Sequence, residues 1–113
     1  MENAWDKKSP TYPKFSKDKD YKFERDVLEF IRQNGINFSG KTVLDIGCGT
    51  GIWTVLISKE AKDITGLDSS EKMLEILDET VKNLDITNIK TKLSKFSEFS
   101  DKFDISTCFM SPA

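Results

Sequence analysis

The sequence predicts an α/β fold with a doubly wound, mainly parallel sheet, and two observations carry that prediction. The first is the run Val43-Leu44-Asp45-Ile46 followed at once by three glycines at alternate positions, Gly47, Gly49 and Gly51. Its apolar residues surround a single acid and read as a short strand buried on both faces. The second is the alternation that follows: the helical run opened by Ile52-Trp53-Thr54-Val55-Leu56-Ile57, then strand-like and helix-like runs in turn. Strand, glycine turn and helix in that order form the crevice in which doubly wound sheets hold nucleotide-like ligands. Glycine takes up φ > 0 without strain and lets backbone approach a ligand closely. The free N–H groups at the start of the next helix favour an anionic group such as a carboxylate.

Composition narrows the function classes. A chain of 113 residues suggests one domain. With 32% charged residues and a formal net charge of −2, nothing broadly attracts nucleic acid or an anionic membrane surface. No apolar run approaches the roughly 18 residues of a membrane span, and the N-terminus does not read as a signal peptide. Cys48 and Cys108 are the only cysteines. Each sits in a strand or at a strand end, so reduced thiols in a cytoplasmic protein are expected, with neither a disulfide nor a metal pair. The absence of histidine removes the commonest general base and metal ligand.

Residues 1–19, punctuated by Pro10 and Pro13, read as an irregular N-terminal arm. Its aromatics, Trp5, Tyr12 and Phe15, either pin the arm to the domain or fold it over a bound ligand. Residues 20–113 are read as one cofactor-binding unit. Within it, 20–34 is an amphipathic helix whose apolar stripe is Phe23, Val27, Phe30 and Ile31. Asn34-Gly35 ends it. After strand one and the glycine turn, the first crossover helix is expected over 52–61, with Trp53, Leu56, Ile57 and Ala61 packed on the sheet.

Residues 63–68 form the second strand, which ends in Asp68, 17 residues beyond Gly51. That offset is close to the roughly 20 residues at which a strand-two acid meets a ribose. One carboxylate can accept from both vicinal hydroxyls. The other reading is that Asp68 caps the next helix. That helix is expected over 70–84, capped by Ser69 or Ser70, with Glu71 at the positive end of its dipole. Met73, Ile76, Leu77, Thr80, Val81 and Leu84 form its core face. Residues 89–93 are a short edge-like third strand, with Lys90 and Lys92. Phe96 and Phe99 are expected in the core, with stacking on a base as the other reading. Residues 103–110 are the fourth strand, with Ser111-Pro112 after it.

The glycine turn departs from the dinucleotide fingerprint, which wants G-x-G-x-x-G. Here the pattern is G-x-G-x-G, with Ile52 where the third dinucleotide glycine would stand. Asp45, two residues before the first glycine, would repel a pyrophosphate and attract an ammonium. The whole run VLDIGCGTG resembles motif I of the class I S-adenosylmethionine-dependent methyltransferases. The resemblance covers about residues 20–113 and implies a Rossmann-like sheet of strand order 3-2-1-4. It implies S-adenosylmethionine as cofactor. Asp45 and the loop residues Gly47, Cys48, Gly49, Thr50 and Gly51 would hold its amino-acid end. Asp68, with Ser69, would hold the ribose, and Met73 would touch the adenine, although a core methionine is the commoner explanation. A small residue followed by Asp usually meets the adenine amine after strand three. Here Ser94-Lys95-Phe96 fills that slot, so Ser94 or backbone takes that contact.

Further features carry the resemblance, and one departs from it. Such enzymes often bear an N-terminal lid with a Trp-Asp pair, here Trp5-Asp6, and a later Tyr. A Phe-Asp pair, here Phe103-Asp104, opens strand four. Ser111-Pro112-Ala113 lacks the amide or acid of the motif with which some members bind a planar amine, so no nucleic-acid substrate is inferred. Family members continue with strands five to seven. The chain therefore reads as part of a longer protein, inactive by itself, with no metal and no assignable catalytic residue. A small-molecule methyl acceptor is expected first and a protein acceptor next, with self-association through the exposed side of strand four. The rival readings are a non-catalytic cofactor- or partner-binding module and a nicotinamide-dependent dehydrogenase.

Overall fold

The structure, a computed structural model, describes residues 13–109. The readings placed on Trp5, Asp6, Tyr12 and residues 110–113 lie outside the described residues. Four parallel strands form one sheet in the order β3-β2-β1-β4. They are β1 (Thr42–Ile46), β2 (Asp63–Asp68), β3 (Ile89–Leu93) and β4 (Ile105–Thr107). Helix α1 (Lys22–Gln33) precedes β1, α2 (Ile52–Ser58) joins β1 to β2, and α3 (Glu71–Asn83) joins β2 to β3. A single 3₁₀ turn, Phe96–Glu98, lies between β3 and β4. This is the α/β Rossmann-like architecture the sequence predicts. No helix among the described residues is long and apolar enough to cross a membrane.

The core forms where one face of the sheet meets the helices. Val43, Ile64 and Ile89 point from neighbouring strands into a cluster with Val55, Leu56, Ile57 and Leu77, closed by Tyr21, Leu28 and Phe38. Full burial of each large aliphatic side chain stabilises the fold by about 1.5–3 kcal/mol. Gly66 is the thin point of this face. A Cβ built there would lie 2.9 Å from the Cys48 sulfur and 3.3 Å from Leu77 Cδ2, so strand and glycine turn pack closely only without a side chain.

Strands β2 and β3 and helix α3 fall where the periodicity puts them. Ser70, not Ser69, caps α3: its Oγ accepts from Met73 N at 3.2 Å. Leu74 joins the buried face, which periodicity did not assign to it. Three elements differ. Helix α2 stops at Ser58, because the Asn88 side chain donates to Ser58 O (2.7 Å) and Ala61 O (3.1 Å) and so satisfies the carbonyls that more helix would have used. Ala61 instead bridges Ser39 in antiparallel fashion. Strand β4 starts at Ile105, because Asp104 is used as a staple. Its carboxylate accepts from Thr42 N at 2.9 Å, in place of a ladder carbonyl, and this holds the acid below its ordinary pKa.

The third difference is the face of α1. Phe23 and Phe30 are 72% and 65% exposed, and Leu28 is the buried residue. Two stripes overlap on this helix, 23/27/30 and 24/28/31, and the aromatics favour the first. Tertiary anchors select the second. Tyr21, just before the helix, stacks on Phe15, and Arg32 reaches Glu60 at 2.6 Å.

Candidate cofactor-binding site

The carboxyl ends of β1 and β2 open into a cleft of about 500 Å3. Its floor is the turn after β1. Gly47 N and Cys48 N both donate to Leu67 O, at 2.8 and 3.1 Å, so the turn leaves β1 while still bound to β2. Gly47, Gly49 and Gly51 have φ of 68°, 57° and 90°, values that side-chain-bearing residues rarely adopt. Asp68 ties this turn to the next element. One carboxylate oxygen accepts from Gly49 N at 2.8 Å, and the other accepts from Ser70 N at 2.9 Å. The two sequence readings of Asp68 are compatible, since it organises the start of α3 and lines the cleft.

Asp45 lies under the turn, 1% exposed. Thr54 Oγ1 donates to one of its oxygens at 2.7 Å and Thr107 Oγ1 to the other at 3.1 Å. β1, α2 and β4 thus meet on one carboxyl group. Burial pushes its pKa from 3.8 to about 6; the two threonine hydroxyls pull it back, and the nearby Asp68 charge adds a smaller upward push. An ionised Asp45 is therefore a carboxylate short of positive charge, and a cation placed beside it would restore the balance. Cys48 is different. Burial, then Asp45 and Asp68, push its thiol pKa well up, so it sits here as an unreactive thiol.

The arm closes one wall. Thr50 Oγ1 donates to Pro13 O at 2.5 Å, and Ser16 N donates to the Tyr21 hydroxyl at 2.9 Å. The Phe15 and Tyr21 rings stack with centroids 5.0 Å apart. On the β4 side the Trp53 and Phe109 rings stack 4.1 Å apart and 11° from parallel. Both line the cleft, with Phe96 and Met73 on the β2–β3 side.

Asp45, Gly47, Cys48, Gly49, Thr50, Asp68, Ser69, Met73 and Ser94 all line this cleft. Gly51 does not. It is buried beneath the turn, where a Cβ would meet Leu77. Ser94 is held through its backbone, its N–H donating to Asp68 O at 3.0 Å. Sequence reasoning placed Trp53 on the sheet and missed its partner Phe109; the expected strand order already set β4 beside β1, but periodicity does not say which ring beyond Thr107 meets α2. It also expected Phe96 in the core, whereas Phe96 is 60% exposed at the cleft rim. Phe99 packs on Phe103 instead, their centroids 6.0 Å apart. Lys19, Tyr21, Glu24 and Lys95 also line the cleft, and no local signal marked them.

A family model described as a methyltransferase domain matches residues 43–113. Among curated proteins, the chain is similar to a ubiquinone biosynthesis O-methyltransferase of Photorhabdus laumondii. The two are 32% identical over 84 residues, covering 72% of this chain and 35% of that protein. It is also similar to a demethylmenaquinone methyltransferase of Listeria welshimeri, 31% identical over 98 residues, covering 80% of this chain and 39% of that protein. Among solved structures, a Haemonchus contortus phosphoethanolamine N-methyltransferase in complex with S-adenosylhomocysteine superposes with a TM-score of 0.72. The identity is 21%, over 92% of this chain and 23% of that one. The magnesium protoporphyrin IX methyltransferase of Synechocystis gives 0.65 at 24% identity, over 77% and 42%. At such identities the structural likeness is one of fold. The chain spans between 35% and 39% of the length of these two curated relatives.

Proposed function

The chain belongs to the methyltransferase domain family, and on that premise we propose that residues 20–113 bind S-adenosylmethionine for methyl transfer to a small molecule, with residues 1–19 as a covering arm. The observation that carries the reading is that the glycine turn, Asp45 and Asp68 line one cleft. Its volume lies in the range of small-ligand sites. Its donor set suits this cofactor better than a dinucleotide. Asp45 offers charge to an ammonium, Asp68 offers a carboxylate to a vicinal diol, and Met73 and Phe96 offer apolar surface to a base.

S-adenosylmethionine, when bound, supplies a methyl group that its sulfonium has already activated. The protein's part is to hold and to enclose. Asp68, with Ser69, would hold the ribose, and Ser94 or its backbone would meet the adenine. Asp45 and the turn residues Gly47, Cys48 and Gly49 would hold the amino-acid end. The Trp53–Phe109 stack, which lines the same cleft, would give a small planar acceptor an apolar face to lie on. The arm, tied down through Thr50, limits the access of water. Alignment and desolvation of this kind supply most of what methyl transfer needs from a protein.

The reading places the protein in the cytoplasm, where the free Cys48 and Cys108 stay reduced. The outer edge of β4, exposed at Ser106, is the side through which a second copy would pair.

Calorimetric titration tests the binding reading. S-adenosylmethionine and S-adenosylhomocysteine should bind and NADH should not; a preference for NADH would sink it. Asp68→Ala should weaken S-adenosylmethionine binding by about 1–3 kcal/mol, the loss of a charged acceptor for two hydroxyls. Unchanged affinity would remove the ribose assignment. Trp53→Ala should raise the acceptor KM with cofactor affinity unchanged. An unaltered KM would place the acceptor elsewhere.

A further inference from the structure

A second groove, of about 330 Å3, lies beneath the arm and apart from the glycine turn. Phe15, Val55, Leu56, Leu84 and Ile86 line its apolar part. Around them stand Lys17, Lys19, Arg25 and Lys59, with Asp20 the sole acid among the lining residues. Asp20 is already engaged, since Arg25 donates to its carboxylate. Lys19 lies over the Tyr21 ring, 5.3 Å from its centroid. Among the described residues Lys17 and Lys59 take part in no ion pair. The chain as a whole carries a formal charge of −2, so this clustering of cations runs against the composition.

We propose that this groove binds a small amphipathic anion, an aliphatic carboxylate whose chain lies along the apolar floor and whose head lies between Lys17 and Lys59. The two halves of the site require different halves of the ligand. An apolar molecule without charge leaves the exposed Lys17 and Lys59 ammonium groups without a counter-ion. An inorganic anion leaves the aliphatic floor in water. A carboxylate with an apolar tail satisfies both, through charge-assisted hydrogen bonds at one end and buried area at the other. The site is independent of the methyltransferase reading, because neither Lys17 nor Lys59 lines the cofactor cleft. Lys19 and Tyr21 line both cavities, so an occupant would also brace this part of the arm.

The test is a titration of the 15N-labelled 113-residue chain with octanoate, followed by amide chemical shifts. Saturable binding is expected, with shifts centred on Phe15, Lys17, Leu56, Lys59 and Ile86. Octanol should bind about tenfold more weakly or worse, and inorganic phosphate should show no saturable shifts at these residues. Lys17→Glu combined with Lys59→Glu should weaken octanoate binding by about tenfold or more, as for loss of hydrogen bonds to a charged group. S-adenosylmethionine binding should be unaffected by that change. Lys90→Glu with Lys92→Glu, which alters net charge equally on β3, should leave octanoate binding unchanged. The proposal is overturned if octanoate fails to saturate, if octanol binds as well, if the two charge reversals act alike, or if S-adenosylmethionine displaces octanoate.

Discussion

Asp45→Asn should make the folded chain more stable at pH 8 and, at the same time, poorer at binding S-adenosylmethionine. The stability half follows from linkage. Burial raises the pKa of this acid from 3.8 to about 6 in the folded state. The folded protein therefore holds the Asp45 proton more tightly than the unfolded chain does. Its contribution is most favourable below pH 3.8, is lost as pH rises towards 6, and stays lost above that. A shift of this size makes the ionised side chain a liability on the order of 3 kcal/mol at pH 8. Asparagine has the same shape and no charge to desolvate. The Thr54 and Thr107 hydroxyls that donate to Asp45 can turn so that one of them accepts from the amide. Urea unfolding at pH 8 should show a gain of about 2–3 kcal/mol, shrinking as pH falls towards 4.

The binding half has the opposite sign. An ammonium beside Asp45 needs the ionised carboxylate, and its loss should weaken binding by about 1.5–3 kcal/mol, the worth of a hydrogen bond to a charged group. Wild-type affinity should also decline below about pH 6 as Asp45 takes up its proton, while the variant should titrate flat through that range. Asp68, the other acid near Asp45, pushes its pKa upward and lines the same cleft. A variant that gained no stability would mean that Asp45 is not paying a desolvation penalty. One that bound the cofactor like wild type would move the ammonium elsewhere.

That trade explains which parts of the site could be read from the sequence. Asp45, the glycines and Asp68 were legible because their chemistry is local. A strand, a turn requiring φ > 0 and an acid at the next strand's end all follow from chain order, and β2 and β3 could be bounded the same way. What sequence reading missed depends on contacts between distant segments. Trp53 stacks on Phe109, a residue beyond the end of β4, and no periodicity marks that pairing. Helix α2 ends early because Asn88, on another connection, takes its last carbonyls. The buried face of α1 is chosen by Tyr21 and Arg32, outside the apolar stripe that periodicity measures. Gly51 is the converse case. Its glycine pattern was legible, but the pattern alone does not separate a glycine that admits a ligand from one that admits a neighbouring side chain.

Gly51→Ala should therefore destabilise the fold by about 2–5 kcal/mol, the sum of two costs. The first is backbone. At φ 90° a Cβ crowds the following carbonyl, a strain of about 1–2 kcal/mol. The second is packing. An ideal Cβ at Gly51 would lie 2.2 Å from Leu77 Cδ1 and 3.0 Å from Leu77 Cγ. Leu77 is fully buried, and its other methyl already faces the space above Gly66, so it has little room to swing away. Overpacking of this kind costs about 1–3 kcal/mol. A double-mutant cycle separates the two terms. Leu77→Ala alone should cost about 2–5 kcal/mol as a cavity. In the double variant the new methyl occupies part of that cavity, so the combined loss should fall short of the sum by about 1–3 kcal/mol, leaving the Leu77 cavity and the backbone strain of the alanine. Urea unfolding of the four proteins measures this directly. Strict additivity would show that Gly51 is required for its backbone conformation alone, and that the approach of the glycine turn to α3 imposes no limit on side-chain size.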